Sequence, residues 1–305
     1  MRAETHLEVY RPFQGKLRAH GFRAWPLFTT GLRTALKQRK SLFILYLPAL
    51  VATAIMCFVV WFKFMGEAAV KAERDSMSPQ EQLGMLVYQA QAENLIGVVS
   101  LILNFAKFMG GFALLAVSWF ASGLLCEDRK AGAHQLYFAR PITRLDYVLG
   151  KFLVAASFAL MAVFVPLIAT CFAATVFSPE WSFVTKEWDV FLRAIGFSLV
   201  WTVVVSSLAL AASSLASRKS FALLGIFGFV MLSVPFAGIL GQFVDRRLFS
   251  LALLIDLDAL AQAIFGRPTE IEGVTAANAW GFITALTAGC WAVIWWRVRR
   301  LEVVA

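Results

Sequence analysis

Six apolar runs of about 20 residues or more restrict this chain more than any motif it carries. They cover residues 41–62, 96–125, 147–177, 190–212, 221–243 and 279–296. At 1.5 Å per residue, about 20 helical residues cross a hydrocarbon layer of roughly 30 Å. Inside that layer the backbone must satisfy its own hydrogen bonds, so each run is expected to be a helix. The expected fold class is an all-α membrane protein with six transmembrane helices. The second and third runs exceed what a bilayer needs and are expected to tilt or to project into water. Composition agrees with this reading: 60% of the residues are hydrophobic and only 15% charged, against about 25% charged in an ordinary soluble domain.

The net charge of +9 would suit a nucleic-acid surface, but the charges follow the membrane instead. Segments 1–40, 126–151, 216–220 and 297–305 hold 19 Lys and Arg and 6 acidic residues. Segments 63–95, 178–189 and 244–278 hold 7 basic and 13 acidic residues. The positive-inside rule assigns the first set to the cytoplasm. An even number of spans then places both termini there, in a multi-pass protein of the cell inner (cytoplasmic) membrane, and no nucleic-acid partner is expected. The first 40 residues are polar and basic, so no cleavable signal peptide is expected and the first span doubles as the insertion signal. The resulting division is a cytoplasmic arm with an interfacial helix (1–40), a transmembrane domain (41–296) and a cytoplasmic tail (297–305).

Local signals fill in this outline. In the segment 26–40, Phe28, Leu32 and Leu36 recur every four residues, while Arg33, Lys37 and Lys40 occupy another face. That pattern predicts an amphipathic helix lying in the lipid headgroup layer. Ser78-Pro79-Gln80-Glu81 combines an N-cap, a proline at the first helical position and a capping-box Glu, predicting an extracytoplasmic helix over 79–94. Ser178-Pro179 predicts a short turn on the same side, and Trp61, Trp181, Trp188, Trp280, Trp295 and Trp296 form an aromatic belt. Four single cysteines and three distant histidines give no metal or disulfide pattern. Asp256 and Asp258 sit in a segment, 250–265, that resembles an interfacial helix. Without a His, Cys or metal pattern beside them they do not make an acid–base site.

The informative stretch is the loop 126–151. It carries charges at Glu127, Arg129 and Arg144, an apolar cluster of Leu136, Tyr137 and Phe138, and a break at Arg140-Pro141. Pro141 disfavours helix at Arg140, and Thr143 with Asp146 has capping-box spacing for a new helix. A short stiff helix with exposed apolar residues could seat in a groove on a partner; an ordinary connector lying on the membrane would carry the same composition. In the second span, Asn104 and Lys107 are candidates for lining a translocation path, because an ionisable group at membrane depth usually faces a cavity or partner. If Lys107 lies near the outer end, it can snorkel instead. Gly110, Gly111 and Gly123 suggest close helix packing.

The loop resembles the signature of type-2 ABC exporter permeases (the ABC-2 family). The matching residues are Glu127, Arg129, Gly132, Arg140, Pro141, Thr143, Arg144, Gly150 and Lys151, with Ala133 where that family often has Thr. The interfacial helix, the six spans and the inside termini fit the same plan, so the resemblance covers essentially the whole chain. It implies the type-2 exporter fold and a dimer with a second permease copy, driven by two cytoplasmic ABC ATPase subunits. The loop and the N-terminal helix would dock on them. ATP and Mg would be bound by those partners, since this chain has no G-x-x-x-x-G-K-[ST] and Gly150-Lys151 is followed by Phe152. The implied cargo is hydrophobic or amphiphilic, or force is passed to a periplasmic accessory protein. Competing classes are an intramembrane enzyme, for which neither G-x-S-x-G nor H-E-x-x-H is present, and an ATP-independent scaffold or secondary transporter, for which no inverted repeat is visible.

Overall fold

A computed structural model of the chain describes residues 24–37, 39–74, 97–133 and 142–300. The predicted helix over 79–94 lies outside them. The described residues contain no strand. Helix α1 (Trp25–Leu36) precedes α2 (Arg39–Arg74), α3 (Val98–Ala121), the short α4 (Cys126–Lys130) and α5 (Arg144–Phe177). A 3-10 turn (Pro179–Trp181) and α6 (Ser182–Glu187) lead into α7 (Asp189–Leu215) and α8 (Lys219–Phe243). A second 3-10 segment (Arg246–Leu251), α9 (Leu253–Ile264) and α10 (Ala276–Arg299) complete the order. Six helices are long and apolar enough to cross a membrane, as expected from the six runs. Near the end of α2, Lys63 pairs with Glu67 one turn on (3.1 Å), so the two charges offset each other.

The spans divide into two groups. In α3, α5 and α7, 56%, 50% and 72% of the apolar stretch is buried against protein, whereas α2, α8 and α10 bury only 22%, 17% and 22%. Three central helices therefore carry the packing, and three peripheral ones present Leu, Phe and Val outward. Lipid is as apolar as these side chains, so association in the centre depends on close fit rather than on escape from water. Gly110 of α3 supplies such a fit: a methyl group there would stand 2.7 Å from the Trp201 ring of α7. Phe120 and Phe158 stack with centroids 4.5 Å apart, joining α3 to α5. Tyr46 donates to the Phe158 carbonyl (2.8 Å), and Trp291 donates to Ser207 (3.1 Å), so α2 and α10 are each tied to the centre by a polar contact. Pro48, Pro166 and Pro235 interrupt the backbone ladders of α2, α5 and α8.

Helix α1 forms where the amphipathic pattern predicts it, but the bundle also holds it. A methyl at Gly150 of α5 would meet Leu27 Cβ at 2.8 Å and the Ala24 carbonyl at 3.2 Å, and one at Gly31 would meet Val154 at 2.8 Å. These two glycines let α1 press on α5 through Ala24, Leu27 and Gly31. Phe28 and Leu32 are half-buried against the core, while Arg33, Leu36 and Lys37 remain exposed. The stripe that faces protein is thus rotated from the one that spacing singled out.

At the other end of the bundle α9 lies among α3, α7, α8 and α10 and buries most of its length. Asp256, in its first turn, is fully buried, and neither carboxylate oxygen has a hydrogen-bond partner. Burial pushes its carboxyl up to about 8, because an apolar site disfavours the charged form.

Two outcomes follow from this packing. Gly110→Ala should cost about 1–3 kcal/mol through overpacking against Trp201. Gly111→Ala, where a methyl would have open space, should be neutral; thermal unfolding in detergent distinguishes the pair. Asp256 keeps its proton in the folded state to about pH 8 but loses it near 3.8 when unfolded. The folded state therefore binds the proton more tightly, and stability falls as pH rises between those values and then levels off. Asp256→Asn should unfold at higher temperature than the parent, with an advantage that widens over that interval and reaches a few kcal/mol, roughly, at its top. Parallel pH profiles for the two proteins would contradict this.

Candidate functional site

The residues of the 126–151 loop that are described gather at one end of the bundle, with α1, the start of α5, the end of α7 and the end of α10. After α3 the chain turns at 122–125 and enters α4. Ser213 of α7 holds this turn: its Oγ accepts from the backbone N–H groups of Leu125 (3.0 Å) and Cys126 (3.2 Å). Arg129 reaches across in the other direction. Its guanidinium donates to the carbonyls of Ser213 (3.4 Å) and Ala216, which belong to the last turn of α7, where carbonyls lack partners within the helix and a cation complements the helix dipole. Gly123 leaves room for the side chain of Glu127, whose carboxyl carbon would lie 2.8 Å from a methyl there. Gly132 closes α4 in a left-handed conformation (φ 67°), which a residue with a side chain adopts at a cost.

The strongest link in this region is electrostatic. Lys151 of α5 places Nζ 2.7 Å from Asp128 Oδ2, and Tyr147 donates its hydroxyl to the same oxygen at 2.9 Å. Lys151 is 7% exposed and Tyr147 1%, so the pair is shielded from water. Lys151 and Tyr147 lie one turn apart on α5, so both side chains reach the same partner. The start of α5 is fixed separately. Thr143 Oγ1 accepts from Asp146 N–H (3.1 Å), and Asp146 accepts from Thr143 N–H (3.1 Å), the expected reciprocal cap. Arg144 donates to the Arg299 carbonyl at 2.6 Å, tying α5 to the end of α10.

Of the residues expected to couple the chain to an ATPase, Glu127, Arg129, Gly132, Thr143, Arg144 and Lys151 therefore share one end of the molecule. Leu136, Tyr137, Phe138, Arg140 and Pro141 lie outside the described residues. Sequence reasoning passed over Asp128, Tyr147 and Ser213. The i, i+4 spacing of Tyr147 and Lys151 was a usable signal for the first two. Nothing local distinguishes Ser213 from the other serines of its helix.

The candidates for a translocation path sit toward the opposite end. Lys107 meets Asp258 of α9 at 2.8 Å and Glu270 at 3.8 Å. Gln262 extends this network, donating to Asp258 (3.2 Å) and accepting from the Glu270 N–H (3.1 Å). Asn104, one turn away, is exposed. Arg193 does more than reach toward water: it pairs with Asp189 (2.6 Å) and donates to the Phe265 carbonyl (2.5 Å). Both cations thereby anchor α9 and the segment that follows it.

No curated protein matches the chain. Residues 25–264, from the first residue of α1 to the last of α9, match the model of the family described as ABC-2 family transporter protein. That match spans most of the chain and agrees with the six apolar helices. The chain belongs to the ABC-2 transporter family, as a multi-pass membrane permease component of an ABC transporter.

Proposed function

We propose that this chain is the permease half of an exporter driven by a separate cytoplasmic ATPase, to which it presents the end carrying α1, α4 and the start of α5. The observation that carries this reading is the shielded Asp128–Lys151–Tyr147 cluster. It makes α4 and the base of α5 one mechanical unit, joined to α7 through Arg129 and Ser213. A push delivered to the loop between α4 and α5 would then move the ends of central helices rather than be absorbed by a slack connector. ATP and Mg belong to the partner in this reading. Two permease copies form the working transporter, with both termini facing the cytoplasm of the inner membrane. The substrate class is hydrophobic or amphiphilic, or the output is force on a periplasmic protein. Asn104 and Lys107 stand at the far mouth of the path, where the Lys107–Asp258 pair would part for cargo to leave.

The coupling reading makes two predictions. Lys151→Met leaves the Asp128 charge with little but a tyrosine hydroxyl, and should cost about 3–5 kcal/mol. The Asp128→Asn, Lys151→Met double variant should regain most of that stability. Reconstituted with its partner ABC ATPase, the double variant should still bind the enzyme but lose substrate-stimulated ATP turnover, since the lock between α4 and α5 is gone. Wild-type stimulation in a well-folded double variant would refute the mechanical role. Separately, Glu127→Ala and Arg144→Ala should insert normally in membranes and yet lower ATPase docking or stimulation. Unchanged transport-linked turnover in both would take the loop out of the mechanism.

A further inference from the structure

At the end of the bundle opposite α1 and α4, a cavity of about 290 Å³ opens between α8, the second 3-10 segment and the loop before α10. Its walls are Gly241, Gln242, Arg246, Phe249, Ile271 and Glu272. Local sequence builds it. Gly241 has no side chain, so the Phe249 ring presses onto α8; a methyl there would stand 2.7 Å from the ring. Residues 271–274 form a turn closed by a hydrogen bond from the Val274 N–H to the Ile271 carbonyl (3.2 Å). Its third residue, Gly273, has φ 92°, a conformation that glycine adopts without steric cost. A methyl at Gly273 would also meet Arg246 Cβ at 2.6 Å. Glycine therefore lets the turn close on the 3-10 segment and set Glu272 beside Arg246, which donates to it.

The wall carries hydrogen-bonding capacity of both signs that the fold leaves unused. Arg246 donates to Glu272 through Nη1 alone, so most N–H groups of its guanidinium remain available. Only one carboxylate oxygen of Glu272 takes part in that bond, and the Gln242 amide has no partner among the described residues. The two charged side chains are 67% and 82% exposed. An ion pair so open to solvent adds little to stability, and a ligand can enter it at small cost. Phe249 and Ile271 supply the apolar part of the lining. A cation and an anion side by side complement a zwitterion, whereas a simple anion would be repelled by Glu272 and a simple cation by Arg246. Beyond the rim the surface is apolar: Phe236, Ile239, Phe243 and Val244 are all exposed at the end of a membrane-spanning helix, where headgroups lie beside acyl chains.

We infer that Gln242, Arg246 and Glu272 form a binding site for the zwitterionic headgroup of an amine-bearing phospholipid such as phosphatidylethanolamine. Arg246 donates to the phosphate oxygens, which guanidinium groups match in pairs. The lipid ammonium donates to the free oxygen of Glu272 and to the Gln242 side-chain carbonyl. The acyl chains run along the apolar face of α8. A choline headgroup has the same charges but no N–H to donate, and a glycerol headgroup has no cation to meet Glu272. The inference needs only that α8 crosses the membrane; neither the Asp128–Lys151 lock nor the Lys107–Asp258 pair enters it.

The full chain in detergent, mixed with phosphatidylethanolamine, phosphatidylcholine or phosphatidylglycerol and read by native mass spectrometry, tests this. Phosphatidylethanolamine adducts should persist under activation that strips the other two. Glu272→Gln can still accept from Arg246 through its amide oxygen, so the turn should hold, yet phosphatidylethanolamine affinity should fall by about tenfold. Arg246→Gln should weaken it comparably. Lys186→Gln, which removes a charge on α6, should leave it unchanged. Equal retention of phosphatidylethanolamine and phosphatidylcholine overturns the proposal, as does equal loss in Glu272→Gln and Lys186→Gln, or parental affinity in Glu272→Gln. Retention of phosphatidylglycerol at the level of phosphatidylethanolamine would show a plain anion site and would also overturn it. So would complete displacement by O-phosphoethanolamine, since the soluble zwitterion would then be the ligand. Should Glu272→Gln fail to elute as the parent does, Gln242→Leu keeps the test open, because it leaves the ion pair untouched: it should weaken phosphatidylethanolamine binding severalfold, and parental affinity there would overturn the assignment.

Discussion

The ion pair between Asp128 and Lys151 joins a five-residue helix to a 34-residue span across a water-poor site. Charges so placed are stable only while each has its partner, since either one alone would face a desolvation penalty of several kcal/mol. Tyr147 shares the carboxylate and is itself covered, which restricts the geometry further. Much of the surrounding arrangement relies on this contact. The turn onto Ser213 and the reach of Arg129 to the end of α7 both assume that α4 stays where Asp128 holds it.

Glycines set the second layer of organisation. Gly110 admits the Trp201 ring between α3 and α7, Gly150 and Gly31 admit α1 onto α5, and Gly123 admits the side chain of Glu127. In each case a larger side chain sits where a methyl would collide. Close approach of this kind substitutes for the hydrophobic drive that lipid does not provide. Polar ties then fasten peripheral helices to the centre, through Tyr46 and Trp291, and α9 to α3 through Lys107.

The spans, their number and the cap at Thr143 were readable from the chain because each depends on local pattern: apolar length in one case, residue spacing in the other. The family resemblance rested on the order of small motifs in one loop, and the family match is consistent with it. What could not be read was which face of a helix meets which neighbour. The stripe of Phe28, Leu32 and Leu36 is real, but Gly31 and Gly150 rotate α1 toward Leu27, and that choice depends on a helix more than a hundred residues away. Asp256 is a similar case. Asp256 and Asp258 alternate with leucines in a segment that resembles an interfacial helix, and nothing in that spacing shows that α9 buries Asp256 while Asp258, two residues on, pairs with Lys107. Periodicity shows that a helix has two sides but does not identify the side that tertiary packing covers.

The positions of the three interior prolines bear on how such a bundle changes shape. Pro166 lies in α5, gripped on several sides, whereas Pro48 and Pro235 lie in α2 and α8, which touch protein along only a small part of their length. A missing rung in the ladder makes a joint wherever it occurs, but flanking contacts determine whether the joint is free to work. The molecule therefore has a stiff spine and two articulated flanks, and large excursions should be confined to the flanks while the spine turns as one piece.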